Sequence, residues 1–168
     1  MTGTERLGSG SLTAEQVADL LGLEPLPREG GFFRQTWKDD HSTAIYYLTT
    51  PSSPSAFHRL AHTEVTHHLG GAPSRLHLLG ADGKVEAVTL GPDLVAGQIP
   101  QIVKPAGCWQ ARETLGAWSL VGTTMAPGFS WDVYEDPDVE ALCEQWPAAA
   151  DTIRRLAPAV DEPGEPRT

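Results

Sequence analysis

Five of the six histidines lie between residues 58 and 77: His58, His62, His67, His68 and His77. Imidazole changes charge near neutral pH, so such a cluster suits general acid–base chemistry or metal ligation. Alternate side chains of a strand share one face. Along HTEVTHHL, His62, Glu64, Thr66 and His68 would share one face and Thr63, Val65, His67 and Leu69 the other. The first face offers two imidazoles and a carboxylate, donors suited to divalent iron, manganese, nickel or zinc. The opposite assignment stays open: a plain amphipathic strand would bury Val65 and Leu69 and leave Glu64, Thr66 and His68 in water. A second segment, PAGCWQ (105–110), reads as a tight turn, with Gly107 permitting positive φ. Gln110 leaves that turn beside Trp109, either as a pocket amide or as a solvated corner.

The surrounding elements are short. Thr13 and Gln16 form a capping box for a first helix with Val17, Leu20 and Leu21 as its apolar stripe, and Gly22 sits at its C-cap. From Gly30 to Tyr134 the chain reads as β runs broken by turn residues: FFRQTW, STAIYYLTT, EVTHHLGG, RLHLLG, KVEAVTLG, QIVKPAG, WQARETLG and WSLVGTTMAPG. Strands at this spacing predict an antiparallel sandwich or closed barrel, not βα units. Asp136 and Pro137 read as an N-cap and first helical residue, and Pro147 opens another helix with Ile153 and Leu156 buried.

Net charge is -10, from 12 basic and 22 acidic residues, which disfavours nucleic acid and anionic membranes as partners. Cys108 and Cys143 match no disulfide framework or metal spacing, so a cytoplasmic, reduced protein is expected. The 168 residues suit one domain, expected over residues 12–157, with a barrel at about 30–134 and helices at about 136–157. Flexible ends are expected at 1–11 and 158–168.

Several segments together resemble the cupins. Glu64, six residues and Gly71 fit the end of the motif G-x5-H-x-H-x3-4-E-x6-G, and PAG fits the start of P-x-G-x2-H. GGFFRQTW, SAFHRL, LHLLG-x-DG, LGPDL, GQ-x-PQ-x-V-x-PAG-x-WQ and APGF, in that order, are similar to the cupin-5 branch of small single-domain cupins. The resemblance implies an all-β double-stranded β-helix, a jelly-roll barrel with one N-terminal and two C-terminal helices. It also implies a polar lumen and a homodimer. By motif position His58 matches the first histidine and Glu64 the glutamate, while Leu60 and Gln110 stand where further histidines would ligate. Thr66-His67-His68-Leu69 also replaces the branch's usual Trp-His-Phe-Tyr, which opens the pocket and makes it more polar.

What the resemblance implies for the site follows from these positions. Similar cupins include metal-free dTDP-sugar epimerases with a histidine base, so the expectation is an epimerase, isomerase or lyase acting on a small molecule. His58, Glu64 and His68 would be catalytic, with His58 or His68 as the base. Arg34, Tyr46, Thr66, His77, Gln98, Gln101, Trp109, Gln110 and Trp118 would bind the ligand. Arg34 would clamp an anionic group and the glutamines would orient hydroxyls. The alternatives are a metal-dependent oxygenase using His58, His62, Glu64 and His68, and a binding module without chemistry.

Overall fold

The computed structural model describes residues 12–159; of the flexible ends expected at 1–11 and 158–168, all but Pro158 and Ala159 lie outside the described residues. Helix α1 (Ala14–Leu21) starts at the expected capping box, with Thr13 Oγ1 accepting from Gln16 N at 3.2 Å and Gln16 Oε1 accepting from Thr13 N at 2.9 Å. Gly22, at φ 63°, ends it in the left-handed conformation that glycine tolerates best. Its stripe is narrower than expected. Val17 is buried and Leu21 packs beside it, whereas Leu20 is 72% exposed on the far side of the helix.

Eleven strands follow: β1 (Glu24–Pro25), β2 (Phe32–Lys38), β3 (Thr43–Thr49), β4 (Ser55–Leu60), β5 (Glu64–Gly71), β6 (Ser74–Leu79), β7 (Val85–Leu90), β8 (Gln101–Lys104), β9 (Trp109–Thr114), β10 (Ser119–Met125) and β11 (Tyr134–Glu135). They form two antiparallel sheets, one ordered β1-β2-β3-β10-β5-β8 and the other β11-β4-β9-β6-β7. Two such sheets, face to face with crossing connections, make the jelly-roll barrel that the resemblance implied. Among the described residues no helix is long and apolar enough to cross a membrane.

Register arranges the inward side chains in layers. Thr43, Met125, Glu64 and Lys104 pair across the first sheet at the rim. Ile45, Thr123, Thr66 and Ile102 lie one layer down, then Tyr47, Val121 and His68. In the second sheet His58 pairs with Gln110, and Arg112 with Ser55 and Leu76. The outer face of that sheet is apolar too: Phe57, Leu79, Trp109 and Ala111 pack against Leu142, Cys143, Trp146, Ile153 and Leu156. Leu142 and Cys143 belong to α2 (Val139–Gln145) and Ile153 to α3 (Ala150–Arg155), while Trp146 and Leu156 are the residues that end those helices. Each fully buried side chain there contributes about 1.5–3 kcal/mol. The α2 cap differs from expectation: Asp138, not Asp136, caps the helix by accepting from Ala141 N at 3.1 Å. Asp136 is instead drawn to Arg28, whose Nε donates to it at 3.0 Å.

Gly31 sets how closely the chain can approach Tyr47. It has φ 69°, and a Cβ there would sit 2.5 Å from Tyr47 Cε2 and 2.8 Å from Leu48 O. Gly31→Ala is expected to destabilise the fold by roughly 2–5 kcal/mol, from about 1–2 for the left-handed backbone and about 1–3 for overpacking. Urea unfolding checks this; a change below about 1 kcal/mol would show that the Gly30–Gly31 turn relaxes freely.

Candidate active site in the barrel lumen

Strand β5 points Glu64, Thr66 and His68 into the barrel and leaves Leu69 49% exposed. Burying Val65 and Leu69 at their expense is therefore the assignment the protein does not adopt. Glu64 is 7% exposed, and Lys104 Nζ pairs with its Oε1 from the neighbouring strand. Thr66 Oγ1 donates to Glu64 Oε1 at 3.2 Å, and Gln110 Nε2 to Oε2 at 3.3 Å. Burial alone would raise the Glu64 pKa, but the Lys104 ammonium outweighs it and holds the carboxyl below its ordinary range.

His58, 2% exposed, is fixed on both sides. Its Nδ1 lies 2.8 Å from Ala56 O, a group that only accepts, so Nδ1 carries the proton. Gln110 Nε2 contacts both His58 Nε2 at 2.9 Å and the Glu64 carboxylate, which orients the amide with its NH2 toward both. His58 Nε2 is thus the acceptor, an imidazole lone pair held inside the barrel. Glu29 Oε2 stands 3.8 Å from the same nitrogen, and Tyr134 stacks on the ring with centroids 5.2 Å apart. Burial raises the Tyr134 pKa well above its ordinary value, so the phenol remains neutral.

A cavity of about 70 Å³ opens beside Glu29 and Glu64, lined also by Phe33, Tyr47, Leu60 and Met125; His58 and Gln110 stand behind this lining. At about 30 Å³ per liquid water, that is room for a fragment of a few heavy atoms. His68 lies two layers below Glu64, level with Tyr47, and burial together with the Arg112 charge lowers its pKa.

The remaining candidates are elsewhere. Arg34 and Tyr46 face outward, with the guanidinium 5.5 Å over the Tyr46 ring, because Phe33 and Gln35 take the inward positions of β2. Trp109 packs under α2 and α3 beneath Arg59, and Trp118 packs against α1 while donating to Leu12 O at 2.8 Å. His77 is on the outer face, 2.8 Å from Glu113. Gln98 accepts from Asp93 N in a loop at 3.1 Å, and Gln101 meets His67 on the exposed face at 2.6 Å. Three lumenal residues escaped the sequence reading: Glu29, Lys104 and Arg112. Arg112 had a signal, since it shares a strand face with Gln110 two positions before it.

The donors do not fit a divalent metal. Glu64 is held by Lys104, and both nitrogens of His58 are engaged within the protein. Leu60 lines the cavity as an apolar side chain, and His62 Nδ1 turns 3.3 Å from Gly128 O. Among the described residues, no group of three His, Cys, Asp or Glu side chains is placed to hold a metal. The expected set of His58, His62, Glu64 and His68 therefore does not assemble.

The family described as Cupin superfamily (DUF985) matches residues 15–136. An uncharacterized protein of Saccharomyces cerevisiae is 28% identical over 133 residues, covering 62% of this chain and 66% of the yeast protein, just under two thirds of its length. A hypothetical protein from Leishmania major superposes with a TM-score of 0.79 at 27% identity, over 87% of this chain and 99% of that one. A Shewanella oneidensis protein does so with a TM-score of 0.81 at 29% identity, over 87% and 98%. Bacillus subtilis oxalate decarboxylase, an enzyme with Mn(II) centres, is similar in fold alone, at 12% identity and a TM-score of 0.56, over 80% of this chain and 37% of that one.

The Glu64–Lys104 pair generates a direct test. Lys104→Met strands a buried carboxylate and is expected to cost about 3–5 kcal/mol. Adding Glu64→Gln should recover most of that loss, as read by urea unfolding at neutral pH. A double variant no more stable than Lys104→Met would show that the two side chains act independently.

Proposed function

Because the chain belongs to the cupin superfamily family DUF985, we propose that its lumen performs acid–base chemistry on a small molecule, as an isomerase, epimerase or lyase. The observation that carries this reading is the His58 lone pair, aimed inward by the Nδ1 bond to Ala56 O and set 3.8 Å from Glu29. A ligand that displaces the Gln110 amide leaves Nε2 free to take a proton from a carbon beside a carbonyl. The C–H electron pair then becomes an enolate. The freed Gln110 NH2 and the Lys104 ammonium are donors within the lumen for its oxygen. Glu29 pairs with the imidazolium that forms. Delivery of the proton by His58 to a neighbouring carbon is isomerisation. Delivery of a different proton to the opposite face by another donor, while His58 keeps the first, is epimerisation, and expulsion of a β substituent is a lyase step. Glu64 acts at one remove, by orienting Gln110, and His68 is the second lumenal imidazole.

A second reading, a small-ligand binder without chemistry, draws support from how fully these groups are already partnered. His58 Nε2 has Gln110, and Glu64 has Lys104, Thr66 and Gln110.

Proton exchange separates the two without a known substrate. The protein is incubated in heavy water with a panel of small aldehydes, ketones and keto acids, and deuterium at the carbon beside the carbonyl is followed by NMR. At least one compound is expected to exchange, and His58→Asn should slow that exchange about 100-fold or more while leaving the melting temperature within a few degrees. Compounds that occupy the lumen without any exchange would give the function to the binding module instead.

A further inference from the structure

Arg112 is 3% exposed, yet its Nη1 and Nη2 have no hydrogen-bond partner within the protein. A buried donor left unbonded costs about 1–3 kcal/mol, more when charged, so two on one guanidinium call for an acceptor. The side chain comes from the inward face of β9, two residues after Gln110, and lies with Cζ 4.9 Å over the Tyr47 ring. Tyr47 also lines the cavity, so its ring is what separates the guanidinium from that space. Other unpartnered polar atoms are near in register. His68 Nδ1 is in the same layer as Tyr47, and Thr49 Oγ1 and Ser74 Oγ follow two residues beyond Tyr47 and two before Leu76. Burial lowers the Arg112 pKa, whereas the Tyr47 hydroxyl and the Glu29 and Glu64 carboxylates raise it; the group stays cationic. None of those carboxylates hydrogen-bonds to it.

We propose that Arg112 is the anchor for a carboxylate on the ligand, which makes the substrate class a small organic acid. A carboxylate presents two oxygens at the spacing of Nη1 and Nη2, and the fork-to-fork pair satisfies both orphaned donors at once. The rest of the acid then reaches up past Tyr47 toward His58 and Gln110. This rests on reading the lumen as an acid–base site, and it places the carboxylate on one side of the reacting carbon and the base on the other.

The test is binding, not turnover. Acetate and glyoxylate, with acetamide as the neutral control, are titrated into the full chain by calorimetry, with melting temperature measured in parallel. The carboxylates are expected to bind and stabilise, and acetamide is not. Arg112→Lys keeps the charge but loses the fork, and should weaken acetate at least tenfold. Should that variant fail to fold, crystals of the unaltered protein soaked in bromoacetate give the same answer: bromine in the lumen with the carboxylate on Arg112. No carboxylate binding, equal binding to Arg112→Lys, or a carboxylate seated elsewhere would overturn the proposal. Carboxylate binding that depends on Arg112, with no proton exchange on any acid, would support this anchor while removing the acid–base reading.

Discussion

A charge inside a barrel this small calls for a partner, and Glu64 and Lys104 supply each other with one. The carboxylate sits on β5 and the ammonium on the edge strand β8, directly opposite in register. Taking either ion out of water alone costs several kcal/mol. Their union does more than neutralise. It leaves Glu64 Oε2 free to accept from Gln110, and Gln110 in turn meets His58. The orientation of the base is therefore inherited, through one amide, from an ion pair near the rim.

Polar and apolar side chains share the lumen, and helices bury large aromatics against parts of both outer faces, which explains what the sequence could and could not disclose. Period-two alternation along β5 placed Glu64, Thr66 and His68 correctly as a set, because an unbroken strand cannot rotate one residue without the others. His62 fell off that face because it precedes the strand, in the turn after β4. Arg34 misled for the opposite reason. A charge among apolar residues suggests a pocket, but on β2 the inward positions belong to Phe33 and Gln35, and the helix-flanked outer face receives the arginine. Trp109 and Trp118 misled likewise: helices cover parts of both outer faces, so large aromatics find burial there and not around a ligand.

Glu29 was illegible for a different reason. It lies in the turn before β2, where Arg28 takes φ 66°, and no periodicity governs such a segment. Its place beside His58 is set by tertiary contacts. The Arg28 guanidinium lies 4.5 Å over Tyr134, the Ser55 hydroxyl donates to Glu29 Oε1 at 2.8 Å, and Ala56 N donates to Glu29 O at 2.8 Å. Lys104 belongs with it: four residues of edge strand are too few to show which way a side chain points.

Strands β4 and β9 present chemistry on one side and foundations on the other. His58, Gln110 and Arg112 look inward, while Phe57, Trp109 and Ala111 seat α2 and α3, and Phe57 N is tied to Leu156 O at 2.8 Å. A ribosome delivers the barrel strands first and these helices last. The outer face of the second sheet must wait, uncovered, until Leu156 has emerged. A nascent chain halted after β11 would display Trp109, Leu79 and Phe57 as a sticky surface on which chaperones, or other nascent chains, would act before any ligand could.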